Sequence, residues 1–363
     1  MGLGLFEEDP FGLLGRLIAL ISAFFVIVLS PVQIQVTHLW QFVAKVKLFL
    51  YGIFYLFLSK DTQFQLPSDP GKSRATATKV KRILFVRHGE SVWNECFNRG
   101  FGASFIPTLL WALCREAMIA FSMDSLFMDS PLSDEGLAQC AKLQEFVESR
   151  EGEEIRKMCS EGAVFVTSTL RRAAATVLIG FGQSLKGGKP VWALSCLQEI
   201  SRNVDTIAFA ERQCTPPVNL PPSAVVGTGV GMKIGRGARR GLAALFASAG
   251  QYSVGRASAP CGGMQASFNM GNKGLQMHGG QRLEAFCEWV FSDCSPAAMQ
   301  PTLVVGGHSL WFRTFFQAYM PHASYHECKQ QKIANCGIVM FDLEQLEAPE
   351  SGSVEYRVVP GSV

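Results

Sequence analysis

The residues most able to do chemistry occur in one short run, Arg87-His88-Gly89-Glu90, which directly follows four apolar residues at positions 83–86. Four apolar residues that include branched and aromatic side chains are typical of a strand covered on both faces, and Gly89 indicates a tight loop after it. Ligands of open α/β sheets bind at the carboxyl ends of strands. The run therefore predicts chemistry at the tip of a buried strand. The alternative is a surface-loop histidine beside a solvated arginine, because a four-residue pattern is short.

Three further apolar segments end in polar residues of the same kind. Residues 163–166 lead to Arg171 and Arg172, residues 191–197 to Glu199, and residues 302–305 to His308. A phosphoryl group in transfer spreads negative charge over its equatorial oxygens, so its catalyst needs fixed positive donors and an in-line nucleophile. Guanidinium groups, imidazoles and one carboxyl group at four strand ends meet those needs. Any one of these residues alone would be interpreted as structural, and their joint occurrence favours a reaction.

The segment from Arg87 to Asn94 resembles the signature of the histidine phosphatase superfamily, which also contains the cofactor-dependent phosphoglycerate mutases. Residues 167–176 resemble the family's Ser-x-Leu-x-Arg-Ala-x-x-Thr element, which assigns the functional arginine to Arg172 and leaves Arg171 as a solvated neighbour. Glu199 matches the family's acidic residue, and residues 306–310 resemble its second histidine element. The resemblance covers roughly residues 81–345, with atypical insertions near 95–128 and 206–280.

The resemblance implies a role for each matched residue. His88 would be neutral and would attack phosphorus, while a carbonyl or similar acceptor fixes its tautomer. Arg87, Arg172 and a protonated His308 would surround the phosphoryl oxygens. Glu199 would protonate the leaving alcohol and then activate water. Ser91 and Asn94 resemble positions that contact substrate. No cofactor and no metal is implied, and the remaining histidines have no context that suggests one, including His322 and His326.

The fold implied by the resemblance is an α/β domain, a three-layer α/β/α sandwich with a mostly parallel central sheet. Ser133 is a plausible N-cap for a helix with apolar residues at helical spacing from Leu137 to Val147. The apolar segment 109–121 is interpreted as a core-packed insertion helix, with a lid or membrane-contacting helix as the alternative. Residues 206–280 are rich in Gly, Ala, Ser and Pro, and a phosphate-binding loop is the alternative for their glycine-rich runs. No strand leads into these runs and no Gly-Lys-Ser/Thr follows them, so we predict a flexible insertion. Residues 346–363 are expected to form a tail.

The amino-acid composition argues against a nucleic-acid partner and indicates a reducing, cytosolic compartment. The formal net charge is only +3, with 33 Lys and Arg against 30 Asp and Glu, so no nucleic-acid footprint is predicted. The eleven cysteines are scattered and form no Cys-x-x-Cys pair, which fits neither a disulfide framework nor a zinc site. We interpret them as reduced thiols, most of them in the core of a cytosol-facing domain.

The amino-terminal part of the chain is apolar enough to anchor it in a membrane. Residues 17–36 are long enough to span a bilayer, and residues 48–58 form either a second span or an interfacial helix. A cleaved signal peptide is the alternative. Residues 1–60 are therefore predicted to anchor the chain and residues 61–80 to form a flexible linker. Basic residues after the apolar runs predict a cytosolic catalytic domain: Lys60, Lys72, Arg74, Lys79, Lys81 and Arg82.

The family resemblance and the apolar amino-terminal runs together imply a membrane-anchored phosphomonoesterase that works through a phosphohistidine at His88. Its substrate would be a small-molecule or protein phosphomonoester. A phosphoglycerate mutase-type phosphoryl transferase is one alternative, and an inactive, membrane-bound phosphate-binding module is the other. The sequence does not choose among sugar, protein, inositol and lipid-linked phosphates.

Overall fold

The computed structural model describes residues 36–72, 75–100, 102, 104–218, 263–347 and 352–363. The strands of this part are β1 (Thr76–Arg87), β2 (Val164–Ser168), β3 (Val191–Leu194), β4 (Met264–Gln265), β5 (Thr302–Gly307), β6 (Ile338–Glu347) and β7 (Val354–Val358). The helices are α1 (Val36–Leu58), α2 (Val92–Phe97), α3 (Phe105–Met118), α4 (Asp134–Glu148), α5 (Glu153–Ser160), α6 (Arg171–Gly180), α7 (Gly279–Phe291), α8 (Ser309–Tyr319) and α9 (Glu327–Gln330).

All seven strands belong to one mixed sheet with the order β4-β3-β2-β5-β1-β6-β7. The pairs β4–β3, β3–β2, β2–β5 and β5–β1 are parallel, whereas β6 pairs antiparallel with both β1 and β7. Strands β1 and β5 are therefore direct neighbours at the centre of the sheet. The expectation of a mostly parallel sheet is confirmed.

The sheet is buried on both faces because successive side chains of a strand point to opposite sides. In β1, Ile83 and Phe85 pack into a cluster with residues of α7 and α8, while Leu84 and Val86 pack into a second cluster with residues of α4 to α6. Phe85 stacks on Phe312 of α8, with ring centroids 4.2 Å apart. Helices on both faces of a central sheet confirm the α/β class.

Helix α4 begins where the sequence predicts it. The Ser133 side chain accepts a hydrogen bond from the amide of Gly136 at 3.1 Å, which satisfies one free donor of the first turn. The buried residues of α4 include Cys140, Leu143 and Val147, which follow helical spacing. This helix covers one face of the sheet beside α6.

Two expectations about the chain's connecting segments are wrong. Asp61 is fully buried against Lys273 and Arg282, and β1 begins at Thr76, so both ends of the predicted 61–80 linker are structured. The predicted tail contributes β7 to the edge of the sheet. Both segments form contacts with distant parts of the chain. Such contacts cannot be predicted from the local composition of a segment.

The ten described cysteines are all free, and only four of them are buried, namely Cys96, Cys140, Cys159 and Cys287. The expectation that most of them lie in the core is wrong.

Helix α1 is long and apolar enough to cross a membrane by length and composition. It contains the predicted 48–58 segment and extends it back through Lys45 and Lys47 to Val36. The predicted span at 17–36 lies outside the described residues except for Val36, and so do the glycine-rich runs at 227–231 and 235–237. Helix α3 is not core-packed as predicted, because its side chains Ile106, Leu110 and Leu113 are exposed.

Candidate active site

The two histidines occupy the tips of neighbouring parallel strands. Arg87, the last residue of β1, is in register with Gly307, the last residue of β5. The amide of His88 donates to the carbonyl of Gly307 at 3.0 Å, which continues the ladder one step past the strand. As a result the rings of His88 and His308 lie with their centroids 5.0 Å apart. The sequence pattern predicted this meeting at one edge of the sheet.

His88 is held in one tautomer. Its Nδ1 lies 2.6 Å from the carbonyl oxygen of Gly89, which can only accept, so Nδ1 carries the proton and Nε2 keeps its lone pair. Burial, together with the positive charges of Arg172 and Arg87, holds the pKa of His88 well below its ordinary value. The ring is therefore neutral near pH 7. A neutral imidazole with a free Nε2 is the form that can attack phosphorus.

Gly89 permits the close approach that this loop requires. A Cβ at this position would lie 2.7 Å from the carbonyl oxygen of Gly136 and 3.1 Å from Cys140 Sγ, both in α4. The glycine of the Arg-His-Gly run thus lets the loop pack against the first turn of α4. That packing fixes the carbonyl that orients His88.

His308 is completely buried, and neither of its ring nitrogens has a hydrogen-bond partner among the described residues. A buried polar group is normally hydrogen-bonded, so two such nitrogens facing a second histidine indicate a place for a polar ligand. Burial and the positive charge of Arg172 hold the pKa of His308 well below its ordinary value. Protonation of His308 therefore requires a negative charge next to it, which a phosphate dianion would supply.

Two arginines lie at the same edge. Arg172 is buried, and its guanidinium donates to the Asp205 carbonyl at 2.9 Å and pairs with the Asp205 carboxylate at 3.2 Å. Arg87 donates to the carbonyl of Ile333 at 2.6 Å. The Nε atoms of both arginines are buried without a partner among the described residues. Each guanidinium is thus held by an acceptor, while its Nε donor has no partner within the described ranges.

Arg171 is not the solvated neighbour that the sequence predicted. It is buried and paired with the equally buried Asp124, and it donates to the carbonyls of Asp129 and Ser125. Its own amide donates to the Asp129 carboxylate at 2.9 Å. The two adjacent arginines of α6 therefore do different work: Arg171 joins α6 to the loop before α4, and Arg172 faces the histidines.

Glu199 is oriented by main-chain amides. Its Oε1 accepts from the amides of Ile200 at 3.0 Å and Trp311 at 2.8 Å, and its Oε2 lies 3.4 Å from the amide of Leu310. Two of these donors belong to the first turn of α8, directly after His308. Burial raises the pKa of Glu199, although Arg172 and the amides oppose the shift. The carboxyl group thus keeps its proton at a higher pH than an exposed glutamate.

A second set of buried charges supports the Glu199 loop and was not found from the sequence. Lys273 Nζ donates to the carbonyls of Glu199 at 2.7 Å and Ser201 at 2.6 Å, and pairs with Asp61 at 2.8 Å. Arg282 binds Asp61 and the carbonyl of Gln198. Burial lowers the pKa of Lys273 to about 8. Asp61 lies in the expected linker and Lys273 in the expected flexible insertion, so no local signal pointed to either residue.

The structure places Ser91 and Asn94 at the start of α2. Ser91 is buried and caps the helix, because its Oγ accepts from the Asn94 amide at 3.2 Å. The Asn94 side chain accepts a hydrogen bond from Asn98 at 2.8 Å on the exposed side. Their predicted contact with substrate stays a prediction. Among the described residues, no group of three or more His, Cys, Asp and Glu side chains is arranged to hold a metal ion.

No family model matches the chain, and no curated protein matches it. Solved structures that it resembles include a mycobacterial hydrolase, with 14% identity, a TM-score of 0.33, and coverage of 78% of this chain and 99% of the other. A mycobacterial glucosyl-3-phosphoglycerate phosphatase has 14% identity, a TM-score of 0.33, and coverage of 77% and 96%.

A phosphoserine phosphatase from Entamoeba histolytica, in complex with 3-phosphoglyceric acid, has 14% identity, a TM-score of 0.31, and coverage of 72% and 89%. With identity and TM-score at these levels, the likeness bears on neither substrate nor reaction. The assignment of a function depends on the geometry of the side chains.

Proposed function

We propose that this protein is a phosphomonoesterase of the histidine phosphatase type, with His88 as nucleophile. The observation that supports this most strongly is the neutral His88 ring, held in one tautomer beside Arg87 and Arg172. Its centroid lies 5.0 Å from that of the His308 ring, which has no hydrogen-bond partner among the described residues. His88 offers one free lone pair, and the Nε atoms of Arg87 and Arg172 are donors without a partner in the part of the chain that the structure describes. A phosphate monoester dianion matches both.

The reaction would proceed in two steps. Nε2 of His88 attacks phosphorus, the bond between phosphorus and the ester oxygen breaks, and the Glu199 carboxyl group gives its proton to the leaving alcohol. Glu199, now a carboxylate, then takes a proton from water as the water oxygen attacks phosphorus. The phosphorus–nitrogen bond breaks, phosphate leaves, and neutral His88 and protonated Glu199 are restored.

The arginines and His308 would stabilise the charge that develops on the equatorial oxygens. The free Nε donors of Arg87 and Arg172 are oriented by their carbonyl and carboxylate partners before substrate arrives, so little reorganisation accompanies the reaction. His308 would gain its proton as the dianion binds. Ser91 and Asn94 would lie at the rim of the substrate site.

An inactive phosphate-binding module is the rival from another class. Simple phosphate binding needs no general acid, so the buried, amide-oriented carboxyl group of Glu199 argues for turnover. The test is hydrolysis of p-nitrophenyl phosphate by the full-length chain in detergent, with His308→Ala as comparison. We expect turnover by the wild type and a large loss in the variant. Tight phosphate binding without turnover would favour the inactive module.

We further propose that residues 17–58 anchor the protein to a membrane with the catalytic domain in the cytosol. The apolar length of α1 and the basic residues that follow it support this. The full-length chain should resist high-salt extraction from membranes. Protease added to intact cells should leave the catalytic domain uncut. A processed, secreted product would contradict the anchor.

A further inference from the structure

Helix α3 has its apolar residues on the exposed side and its charged residues on the buried side, the reverse of a surface helix in a soluble enzyme. Each of its exposed positions holds an apolar residue, including Ile106, Leu110, Leu113 and Met118. Its two charged residues point inward: Arg115 is 4% exposed, and Glu116 pairs with Lys45 of α1 at 2.8 Å. Surface helices of globular proteins show the opposite distribution, with charged residues outward. Water is therefore an unfavourable surrounding for this face.

Helix α1 continues the same apolar surface. Its exposed side chains are apolar along most of its length, with Lys47 as the single charged one among them. Phe42 contacts Phe121, just after α3, with ring centroids 5.1 Å apart, and Lys45 donates to the carbonyl of Ile119 at 3.1 Å. Among the described residues, 17 of the 25 exposed large hydrophobic side chains lie in α1 or between Ile106 and Phe121. We call this surface the α1–α3 face.

The two helices that carry the α1–α3 face pack against elements that flank the candidate active site. Ala112 of α3 and Val92 of α2 belong to one buried cluster, and α2 begins four residues after His88. On the other side, a Cβ at Gly52 of α1 would lie 3.0 Å from Val204, the neighbour of the Asp205 that holds Arg172. Ala112 and Gly52 are both buried, so α3 and α1 pack one side against elements that flank the candidate site and carry the α1–α3 face on their exposed side.

A bilayer is the occupant that these observations favour. Contiguous exposed apolar surface of this kind marks a protein or a membrane contact. Here it includes a helix long enough to span a bilayer, and the chain before that helix is apolar from residue 17. Since Lys45, Tyr51 and Gly52 hold α1 against the catalytic domain, α1 lies along the domain. Such a helix with one packed side and one apolar side suits the membrane interface.

We propose that the α1–α3 face rests in the interface of the bilayer and sets the His88 site over phosphomonoesters carried on membrane lipids. The substrate part of this proposal rests on the proposed phosphomonoesterase function. A substrate with an apolar anchor in the same bilayer would reach the site by lateral diffusion. A soluble ester of the same head group would not gain from the face.

The position of the face can be measured without any activity. The full-length chain is reconstituted in phosphatidylcholine vesicles whose acyl chains carry bromine, which quenches nearby tryptophan. Trp111 of α3 and Trp40 of α1 are exposed. Trp111→Phe and Trp40→Phe should each lower the quenched fraction of emission, whereas Trp289→Phe, in α7, should not lower it. An unchanged fraction in Trp111→Phe overturns the proposal, and a dimeric mass in the same sample would then assign the face to a second copy.

Substrate class is tested with a matched pair of esters, dioleoyl phosphatidic acid in vesicles and glycerol 3-phosphate in solution. Leu110→Glu/Leu113→Glu should lower turnover of phosphatidic acid by about tenfold or more and leave glycerol 3-phosphate within about twofold. Met299→Glu is the control, because Met299 is 88% exposed and precedes the amino-terminal end of β5, whereas the site lies at the carboxyl end of this strand. It should change neither rate.

The outcomes separate the two proposals. The lipid substrate is contradicted if Leu110→Glu/Leu113→Glu loses the same activity on both esters. It is also contradicted if the wild type hydrolyses p-nitrophenyl phosphate but not phosphatidic acid. Neither result contradicts the proposed phosphomonoesterase. No hydrolysis of any of the three esters contradicts the phosphomonoesterase and the lipid substrate together. The bromine quenching decides the position of the face in each case.

Discussion

Asp61 and Lys273 form an ion pair in which both side chains are completely buried, with Oδ2 and Nζ 2.8 Å apart. Asp61 follows α1 by three residues, and Lys273 also donates to the carbonyl of Glu199. Burial by itself raises the pKa of Asp61. The positive charges of Lys273 and Arg282 outweigh this effect and hold the pKa below its ordinary value. The end of the amino-terminal helix is thus tied to the loop that presents the candidate acid.

Breaking this pair on one side should destabilise the protein. In Asp61→Asn the buried Lys273 and Arg282 lose their counter-charge, and removal of one partner from a buried pair costs about 3–5 kcal/mol. We expect a lower midpoint of urea unfolding in Asp61→Asn. The pair is tested by a double-mutant cycle with Lys273→Met, in which the double variant should recover part of the loss. Strictly additive effects of the two substitutions would argue that the pair contributes no coupling.

The adjacent arginines of α6 should separate into one catalytic and one structural residue. Arg172→Lys keeps the charge but loses the planar fork, so kcat/KM for p-nitrophenyl phosphate should fall on the order of 10²-fold. Arg171→Lys leaves buried acceptors unsatisfied, so it should lower the free energy of unfolding by about 1–3 kcal/mol. Activity and thermal unfolding are measured for both variants. If Arg171→Lys, assayed where it is folded, loses as much activity as Arg172→Lys, the assignment is reversed.

Glu199→Gln should slow esters with poor leaving groups most. Only these need a proton in the transition state, and loss of a general acid costs about 10²–10⁴-fold. Since burial raises the pKa of Glu199 and the acid role needs the protonated form, wild-type kcat/KM should fall as pH rises through that pKa. This decrease of kcat/KM with rising pH should be absent in Glu199→Gln. Equal slowing of alkyl and aryl phosphates would remove Glu199 from the acid role.

The enzyme should hydrolyse its substrate and should not act as a mutase. A mutase must retain and reorient a monophosphorylated intermediate and exclude water. This requires further positively charged side chains that bind the substrate and a segment that closes over the site. The segment after Glu199, residues 200–210, carries a single arginine, Arg202, and the segment after Asn94 leads into α3, whose exposed positions are apolar. Incubation with 3-phosphoglycerate should release phosphate. Isomerisation that depends on 2,3-bisphosphoglycerate and exceeds phosphate release would contradict this.

Much of the sheet and the meeting of the strand tips could be predicted from the sequence, because both depend on local patterns. Apolar runs at residues 83–86 and 302–305 identify β1 and β5, and the rule that ligands bind at carboxyl ends of strands brings His88 next to His308. Ser133 gave the start of α4 because an N-cap is a local hydrogen bond.

What could not be predicted depends on contacts between distant residues. Arg171 and Arg172 are identical in type and adjacent, and only the position of Asp124 decides that Arg171 is buried in a pair. The contact of Asp61 with Lys273 joins residues 212 positions apart. The exposed face of α3 has the composition of a core helix, so apolar content alone did not distinguish a buried helix from one that faces outward.

The central claim, that His88 carries the phosphoryl group, is tested most directly by trapping the intermediate. The full-length enzyme is mixed with ³²P-labelled substrate, quenched within milliseconds in alkali, and digested so that the labelled peptide can be sequenced. We expect label on the peptide that contains His88, stable in alkali and lost in acid, and we expect none in His88→Ala, which should be folded and inactive. Label on any other residue, or turnover retained in His88→Ala, would contradict the mechanism.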